Sequence, residues 1–480
     1  MSWLPLSCLE LSILLPLAAA LVVARLQNLD RARHWSVVVS GLALMFALAA
    51  WWNFSLADAS PGIGGAQSAS SISSGEIFVI DRLSAPLLPL VALLYFLNNA
   101  VTLRTKMRHD SFAPTLVSSA LALATFSCRM PWLLIGLLTA ATVPPFLELR
   151  ARGRCTRIYV IHMALFIGLL VAGEASVGFE AGRRVPPLWS IVLLLGAVLV
   201  RSGIVPFHCW MTDLFEHASF GSALLYVAPL TGAYVAVRLV LPIAPDWVLR
   251  SLGLLSLATA VYAAGMALIQ RDARRFFCYL FLSHSALVLV GLEMVTPIGL
   301  TGALCVWLSA ALALGGLGLT LRALESRVGR LSLTDFQGLY DHTPNLAMCF
   351  VLTGLASVGF PGTFGFVGAE MLVDGAVEAY LSVGLAVVVA AALNGIAIIK
   401  TYFLLFTGTT YNSSISLQIR VRERYAVIAL TALILIGGFV PQPGVASRYR
   451  AAEDLLHARA AFADESVGIA WRAVGQRGAD

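Results

Sequence analysis

A small set of ionisable side chains lies inside stretches that are otherwise strongly apolar. Histidine and carboxylate groups take up and release protons, buried lysine can do so, and arginine keeps its positive charge. A charged group in an apolar layer is costly, so it usually faces a wet cavity or a buried partner. The candidates for proton or ion chemistry are therefore His162, Arg201, Arg238, His284, Glu370, Asp374 and Lys400, with His208 just beyond one such stretch.

The composition around these residues is typical of a membrane protein. Of 480 residues, 59% are hydrophobic and 12% are charged, about half the charged share of an average soluble domain. Apolar segments recur with short gaps along almost the whole chain, which favours one membrane-embedded unit. We therefore predict an all-α, polytopic fold with a membrane domain over 1–441 and a polar tail over 442–480, the tail carrying a surface helix near 451–461.

Segments long enough for a hydrocarbon core of about 30 Å predict about fourteen spanning helices, called spans 1 to 14. They lie near 9–24, 36–54, 86–103, 114–128, 132–147, 158–174, 187–207, 219–241, 247–269, 276–293, 298–321, 345–373, 379–407 and 425–441. Basic residues gather in loops after odd-numbered spans, such as Arg150, Arg152 and Arg154 after span 5. The positive-inside rule then places both termini on the non-cytoplasmic side of the cell's inner (plasma) membrane.

Two spans carry helix breakers beside polar groups. The breakers and their polar neighbours are Arg201, Gly203, Pro206 and His208 in span 7, and Gly359, Pro361, Gly362 and Glu370 in span 12. Unwound backbone is tolerated in a membrane only where it lines a cavity, so paired breaks favour an ion or substrate path. Each break lies in a five-span segment, which suggests an inverted repeat; the alternative is that Gly and Pro are simply common in membrane helices.

Three ordered motifs carry a family resemblance. They are Pro206-Phe-His208-Cys-Trp210-Met-Thr-Asp213 followed by Ser222-Ala-Leu-Leu, Gln270-Arg-Asp-Ala-Arg274-Arg275, and Gly359-Phe-Pro361-Gly362 through Glu370, with Asp81 before span 3. Together they resemble the antiporter-like membrane subunits of respiratory complex I, the NADH:quinone oxidoreductase, and of multisubunit Na+/H+ antiporters. The resemblance covers most of the chain.

The resemblance implies that buried polar groups on helices 5, 7, 8, 11 and 12 carry protons through two linked half-channels. By this likeness the ion-pathway candidates are Arg201, His208, Asp213, His284, Glu370 and Lys400. The motif and structural candidates are Pro206, Trp210, Arg274, Arg275, Pro361 and Gly362. Plain structural readings compete: Arg274 and Arg275 also fit positive-inside anchoring, and Lys400 fits snorkelling towards the inner surface.

The chain departs from the family pattern at several of these positions. Arg201 replaces the helix-7 lysine and is a fixed charge or a gate rather than a proton carrier. The expected helix-5 glutamate position is Thr139 or Ala140, because Glu148 comes too late and is predicted at the cytoplasmic edge. The helix-8 histidine and the helix-11 pair are replaced by Tyr226 and by the run Ser309-Ala-Ala-Leu-Ala313. Glu370 is then the strongest remaining candidate.

The predicted function is that of a proton- or cation-translocating subunit in a larger complex, whose other membrane or soluble subunits carry the coupled chemistry. No dinucleotide fingerprint or iron–sulfur cysteine cluster is present in the sequence, and seven scattered cysteines lack zinc-site spacing; no cofactor, metal or catalytic centre is predicted. Expected partners are protons or Na+ and the lipid bilayer, and not nucleic acid. The alternatives are an energy-coupling subunit for inorganic-carbon uptake, a non-conducting scaffold and a stand-alone secondary transporter.

Overall fold

Helices make up nearly all of the computed structural model, which describes residues 7–59, 77–102, 112–179, 186–408 and 421–477. The predicted all-α fold is confirmed, and within these ranges the strand-like pairings are two isolated bridges. The helices are α1 (Cys8–Ala24), α2 (Leu29–Ala59), α3 (Leu87–Val101), α4 (Phe112–Ser127), α5 (Pro131–Ala141), α6 (Val143–Ala151), α7 (Arg157–Phe179), α8 (Leu188–Ser202), α9 (Cys209–His217), α10 (Phe220–Val227), α11 (Thr231–Val235) running into a π-helix (Ala236–Val240), α12 (Asp246–Ile269), α13 (Ala273–Glu293), α14 (Pro297–Val328), α15 (Pro344–Ser357), α16 (Phe364–Ala379), α17 (Leu381–Phe406), α18 (Val421–Phe439) and α19 (Gln442–Arg477).

The described helices confirm a multi-pass membrane protein. Eight segments of the described chain are long and apolar enough to cross a bilayer, two of them, Pro131–Ala151 and Phe220–Val240, made of consecutive shorter helices. A bent pair, Arg424–Phe439 with Gln442–Phe462, raises the number to nine. Each predicted span overlaps a helix or a broken pair of helices, some of them short. The count of about fourteen spans and the inverted repeat remain predictions.

The centre of the bundle is formed by α13, α14 and the segment Phe220–Val240, whose side chains are almost all buried. The outer helices α2 and α7 instead expose large apolar residues such as Met45, Trp52 and Ile161. Helices that are apolar all round can be buried in protein or face lipid. The polar candidates on the central helices therefore lie in the interior of the bundle.

Both predicted breaks are present. α8 ends at Ser202, Gly203 takes the left-handed conformation with φ 72°, and the chain becomes helical again at Cys209. α15 ends at Ser357 and α16 begins at Phe364, with φ 81° at Gly359 and 84° at Gly362 between them. A side chain is strained at such angles, so glycine permits both interruptions.

Small residues let the second half of the broken span 12 pack closely on its neighbour. A Cβ added at Gly302 of α14 would lie 2.6 Å from the Leu372 backbone nitrogen of α16, and one at Gly368 would lie 2.9 Å from the Cys305 Cβ. Close backbone approach through glycine is a common way to hold membrane helices together. The position of α16 is therefore set against the most buried helix.

The polar tail forms a helix longer than the surface helix predicted near 451–461. Its described first part lies at 79° to the preceding helix and packs on α14. Arg448 is 1% exposed and donates hydrogen bonds to the carbonyl oxygens of Leu83 (3.0 Å) and Arg82 (2.5 Å). This part of α19 is thus integrated into the packing of the bundle, although the domain boundary at residue 441 stays a prediction.

Candidate functional site at the broken helices

Arg201 is a buried cation in the last turn of α8, directly before the first break. It is 5% exposed, and its guanidinium lies 4.2 Å from the ring centre of Tyr226 and 5.4 Å from that of Trp210. Its Nη2 donates to the Tyr226 carbonyl oxygen at 3.1 Å. In the described part of the chain no carboxylate lies within ion-pair distance of it, so ring faces and one carbonyl hold the charge.

Trp210 lies in the first turn of α9, on the other side of the first break from Arg201. Its indole Nε1 donates to the carbonyl oxygen of Val200 at 2.8 Å, which also accepts from Gly203 N–H at 3.2 Å where α8 ends. The ring is fully buried. Trp210 therefore joins the two halves of the broken span and supports Arg201 at the same time.

A cavity of about 310 Å³ opens onto Arg201; we call it the Arg201 cavity. Its polar lining residues are Tyr95, Asn98, Asn99, Thr102, Thr115, Ser118, Thr125, Glu148, Arg152, Arg201, Ser219, Ser222, Tyr226, Thr231 and Arg322. Glu148 and Arg322 lie towards the side predicted to be cytoplasmic. The cavity thus reaches from that side to the buried guanidinium.

Glu148 is a site residue that the sequence analysis set aside. Its Oε1 accepts from Ser219 N–H at 2.7 Å and from Arg152 Nε at 2.9 Å, and its residue borders the Arg201 cavity. The signal in the sequence was an acid directly after span 5, but the helix interruption between α5 and α6 decides which way it points. The cavity therefore does contain a carboxylate, more than two helical turns after the position at Thr139 or Ala140 that the resemblance implies.

A second, much smaller cavity joins Arg201 to α13. It measures about 10 Å³ and its polar lining is Arg201, Ser202, Thr231 and Ser285; we call it the bridging cavity. The hydroxyl oxygens of Ser202 and Thr231 are buried and have no hydrogen-bond partner. A space of this size with several polar neighbours fits about one water molecule.

His284 connects this region to the second break. The ring is 2% exposed; its Nδ1 lies 2.8 Å from the Leu280 carbonyl oxygen and its Nε2 lies 3.0 Å from that of Ser357. Ser357 is the last residue of α15, directly before the break. A neutral imidazole carries one N–H and satisfies one of these carbonyls, whereas a protonated one satisfies both. The environment is thus able to accept either form.

Four other ion-pathway candidates lie apart from the two cavities. The His208 ring packs on Tyr262 and Tyr279 at 5.8 and 6.1 Å between ring centres, and Asp213 pairs with His217 at 3.1 Å. Glu370 is exposed on α16. Lys400 is exposed and donates to the Leu268 carbonyl oxygen at 2.8 Å, near the end of α12. The structure therefore places Arg201 at both cavities and His284 next in the chain to Ser285 of the bridging cavity, whereas these four candidates border neither cavity.

Arg274 and Arg275 form the contacts that hold the segment after the first break, on the side predicted to be cytoplasmic. Arg274 forms a buried ion pair with Glu325 of α14 and donates to the carbonyl oxygens of Phe215 (3.1 Å) and Ala218 (2.9 Å). Arg275 pairs with Glu216 at 2.5 Å, on a more exposed surface. Both residues position the turn between α9 and α10. The second break is different, because Pro361 and Gly362 are themselves exposed.

A separate ionic cluster lies before α3, on the side predicted to be outside. Asp81 is 9% exposed; its Oδ2 accepts from Arg238 at 2.6 Å and from Arg129 at 3.0 Å, and its Oδ1 accepts from Ser84 N–H at 2.8 Å. Burial alone would raise the pKa of Asp81, but the two guanidinium groups outweigh it and hold that pKa well below its usual range. Sequence reasoning named Asp81 and Arg238 separately and could not pair them.

Comparison with known proteins bears directly on both breaks. The model of a family described as NADH:quinone oxidoreductase/Mrp antiporter, TM, matches residues 179–394, which contain Arg201, His284 and Glu370. Over this part of the sequence the chain is similar to that antiporter-like subunit family. The predicted resemblance is thereby confirmed.

The relatives of this chain have low identity to it, but the similarity extends over long stretches of sequence. It is 27% identical over 258 residues to subunit M of the NADH-quinone oxidoreductase of Rickettsia prowazekii, covering 52% of this chain and 51% of the relative. It therefore spans about half the length of that relative. Subunit 13 of the Thermus thermophilus enzyme is 27% identical over 399 residues, 77% of this chain and 83% of the relative.

The fold has close structural neighbours. A chain of the Mrp complex from Dietzia sp. superimposes with a TM-score of 0.82 at 18% identity, covering 96% of this chain and 99% of that one. The superposition establishes that the two chains share a fold, although their sequence identity is low. This chain therefore shares its fold with a chain of the Mrp complex.

Proposed function

We propose that the antiporter-like subunit moves protons, or another small cation, across the bacterial inner membrane as one part of a multisubunit complex. The observation that supports this most directly is a series of polar groups in the buried centre of the bundle. The Arg201 cavity and the bridging cavity meet at Arg201, and the bridging cavity is lined by Ser285. Ser285 is the chain neighbour of His284, whose Nε2 lies 3.0 Å from the Ser357 carbonyl oxygen beside the second break. Such a series inside apolar helices is expected on an ion path.

The chemistry along this series differs from one built on lysines and glutamates. Arg201 does not release its proton, so it acts as a fixed charge that orders water and hydroxyl groups around it. His284 is the histidine of this series and carries its titratable ring. Proton movement would then use water and hydroxyls between Glu148 and His284, with Arg201 setting the electrostatic barrier between the two cavities.

The first prediction tests His284. The substitution His284→Gln keeps a donor for the Ser357 carbonyl but removes the titratable ring, so we expect proton flux to fall at least about tenfold, equivalent to roughly 1.4 kcal/mol on the barrier. The measurement is proton uptake by liposomes containing the native assembly purified with its partners. His162→Gln is the matched control, since His162 lies on the outer helix α7 and borders neither cavity.

The outcomes separate the competing functions. Equal flux in wild type and His284→Gln would remove His284 from the path, and flux no greater than in empty liposomes would favour a non-conducting scaffold. Flux by the chain without any partner would favour a stand-alone transporter. The relatives do not favour the inorganic-carbon alternative, since they are named as quinone oxidoreductase and antiporter components.

Partner subunits are supported by the relatives and by one exposed face. Glu370 lies within span 12 yet is exposed, and Asp374 and Glu378 follow it at one-turn intervals on the exposed side of α16. A carboxylate facing hydrocarbon is costly. We infer that a membrane helix of a partner, bearing basic or hydroxyl side chains, covers this face in the complex.

A labelling experiment tests this face as the second prediction. In a background with the exposed Cys155 and Cys209 replaced by serine, a Glu370→Cys variant should react with a membrane-permeant maleimide in the isolated subunit and be protected in the complex. Leu21→Cys, which is 69% exposed on α1, reports the reactivity of a membrane-facing thiol. Equal reaction of Glu370→Cys in both preparations would exclude a partner on this face.

The proposal includes the orientation of the subunit in the membrane. We place both termini on the non-cytoplasmic side with about fourteen spans, because basic residues gather after odd-numbered spans. Glu148, Arg152, Arg322 and the Arg274 anchor then lie towards the cytoplasm, and Asp81 with Arg448 lies outside. In this orientation the Arg201 cavity is the cytoplasmic half of the path.

A further inference from the structure

A groove of about 640 Å³ lies on the surface of the bundle between α2 and α18; we call it the α2–α18 groove. Both helices pack on α3, which forms the base of the groove. Leu97 of α3 is 4% exposed there, whereas Val38 on the α2 side is 39% exposed. The described lining shares no residue with the Arg201 cavity or the bridging cavity. The groove is therefore separate from the proposed ion path.

The groove has the depth of one lipid leaflet. Along α2 its lining extends from Asp30 to Val38, a rise of about 12 Å at about 1.5 Å per residue. One leaflet contributes about 15 Å to a hydrocarbon core of about 30 Å. On α3 and α18 the lining lies at the helix ends next to basic loops, which the positive-inside rule places towards the cytoplasm. The groove thus opens to the cytoplasmic leaflet.

Polarity changes in one direction along the groove. The deeper part is lined by apolar side chains, those of Val37, Val38, Phe96, Leu97, Ala426 and Ala429. At the other end Asp30, Arg33 and His34 of α2 face Tyr425 of α18 across the groove, and Tyr425 is 61% exposed. Tyrosine is enriched where a membrane meets water, because its ring is apolar and its hydroxyl is polar. The groove is therefore amphipathic in the same direction as a phospholipid.

Donors for a phosphate group come from both walls of the polar end. His34 is exposed on α2 and carries a ring N–H, and Tyr425 carries a hydroxyl. The Arg424 guanidinium lies 5.7 Å from the centre of the Tyr425 ring, so a fixed cation lies beside that residue. Arg33 donates to the Ala100 carbonyl oxygen at 3.1 Å and so forms part of the wall. Basic pockets between membrane helices on the cytoplasmic side bind lipid head groups, and this end has that chemistry.

We propose that the α2–α18 groove binds one glycerophospholipid of the cytoplasmic leaflet. An acyl chain lies along Val38, Leu97 and Ala429, and the phosphate lies at His34 and Tyr425. A phospholipid matches both ends of the groove, because its chain is apolar and its phosphate is an anionic acceptor. The volume falls in the range of about 300–1,000 Å³ that is usual for small-molecule sites. The bound lipid fills the space between α2 and α18 and joins both helices to α3.

The test uses the purified full-length chain in non-ionic detergent with dioleoyl phosphatidylglycerol as the probe, and native mass spectrometry counts the lipids retained. We expect wild type to retain one. Ala429→Trp fills the groove and should weaken the apparent affinity at least about tenfold. Ala18→Trp, at an exposed position on α1 outside the groove, should leave it unchanged. Dioleoylglycerol has the same chains without the phosphate, and wild type should bind it at least about tenfold more weakly.

A labelling measurement keeps the test decisive if Ala429→Trp fails to fold. Phosphatidylglycerol with a diazirine in its acyl chain is added to phosphatidylcholine liposomes that contain the native assembly. Labelling of residues 425–429 should saturate as the fraction of this probe rises, whereas labelling at Leu21, 69% exposed on α1, should rise in proportion.

Three results would overturn the lipid site. They are equal retention by wild type and folded Ala429→Trp, equal binding of dioleoylglycerol, and no labelling of residues 425–429 in the assembly, which would show that a partner's helix or a second copy covers the groove. Lipid retention and proton flux are separate measurements. Failure of the lipid site therefore leaves the proposed function standing, and the reverse also holds.

Discussion

Replacing Asp81 by asparagine is expected to destabilise the protein by about 3–5 kcal/mol, the usual effect of removing one partner from a buried ion pair. The carboxylate neutralises both Arg238 and Arg129, at 2.6 and 3.0 Å. Arg238 lies within Phe220–Val240, one of the most buried segments. Without Asp81 its charge would remain in the bundle, and among the described residues the Tyr234 ring, 5.0 Å away, would be its charge-stabilising neighbour.

The free energy of unfolding of the purified chain, measured with a denaturant in detergent, checks this expectation. Asp454→Asn is the matched control: Asp454 also pairs with an arginine, Arg82, but the two side chains are 50% and 30% exposed. An exposed pair contributes about 0–1 kcal/mol. If both variants lost the same small amount, the Asp81 cluster would have no special role in stability.

Lowering the pH should remove the stabilisation that the Asp81 ion pairs give the wild-type protein. The pKa of Asp81 lies below its usual range in the folded protein, so the unfolded state binds a proton more readily. The contribution is therefore complete above the ordinary carboxyl value, about pH 4, and is lost as the pH falls towards the lower folded-state pKa. Asp81→Asn should lack this part of the acid dependence.

Glu325→Gln is expected to have the next largest effect, again about 3–5 kcal/mol for a buried pair that loses one partner. The Arg274 and Glu325 side chains are 14% and 11% exposed, and Arg274 also binds the carbonyl oxygens of Phe215 and Ala218. Loss of the ion pair should loosen the turn between α9 and α10, which holds Ser219 and the inner lining of the Arg201 cavity. We therefore expect lower proton flux as well as lower stability.

The neighbouring arginine offers a matched control for this second effect. Arg275 pairs with Glu216, and the two side chains are 50% and 30% exposed, so Glu216→Gln should change the free energy of unfolding by at most about 1 kcal/mol. Unfolding free energy and liposome flux are measured for both variants. A Glu325→Gln protein as stable as Glu216→Gln would contradict a structural role for the buried pair.

The structure reverses the ranking of Glu370 and Arg201 as ion-pathway candidates. From the sequence, Glu370 was the strongest ion-pathway candidate and Arg201 a poor carrier. In the structure Glu370 is exposed on α16 and Arg201 lies between the two cavities. The function of Glu370 as an ion-pathway residue remains a prediction that depends on what covers it in the complex.

The sequence by itself determined the features that depend on local composition. Long apolar segments predict membrane helices because the bilayer requires satisfied backbone hydrogen bonds, and Gly203, Gly359 and Gly362 predict the two breaks because they permit left-handed backbone. The ordered motifs about Trp210 and Arg274 predicted the resemblance to the antiporter-like subunits. None of these inferences requires knowing which residues distant in sequence are neighbours in space.

Only the tertiary structure decided which polar groups meet. Asp81 binds Arg238, His284 reaches Ser357, and Glu148 shares a cavity with Arg201. Helices that are apolar on every side carry little periodic signal, so their sequence does not reveal which face turns inward. The same absence of a signal left the outward position of Glu370 unpredicted, since helix packing alone determines whether a membrane carboxylate faces the interior or a partner.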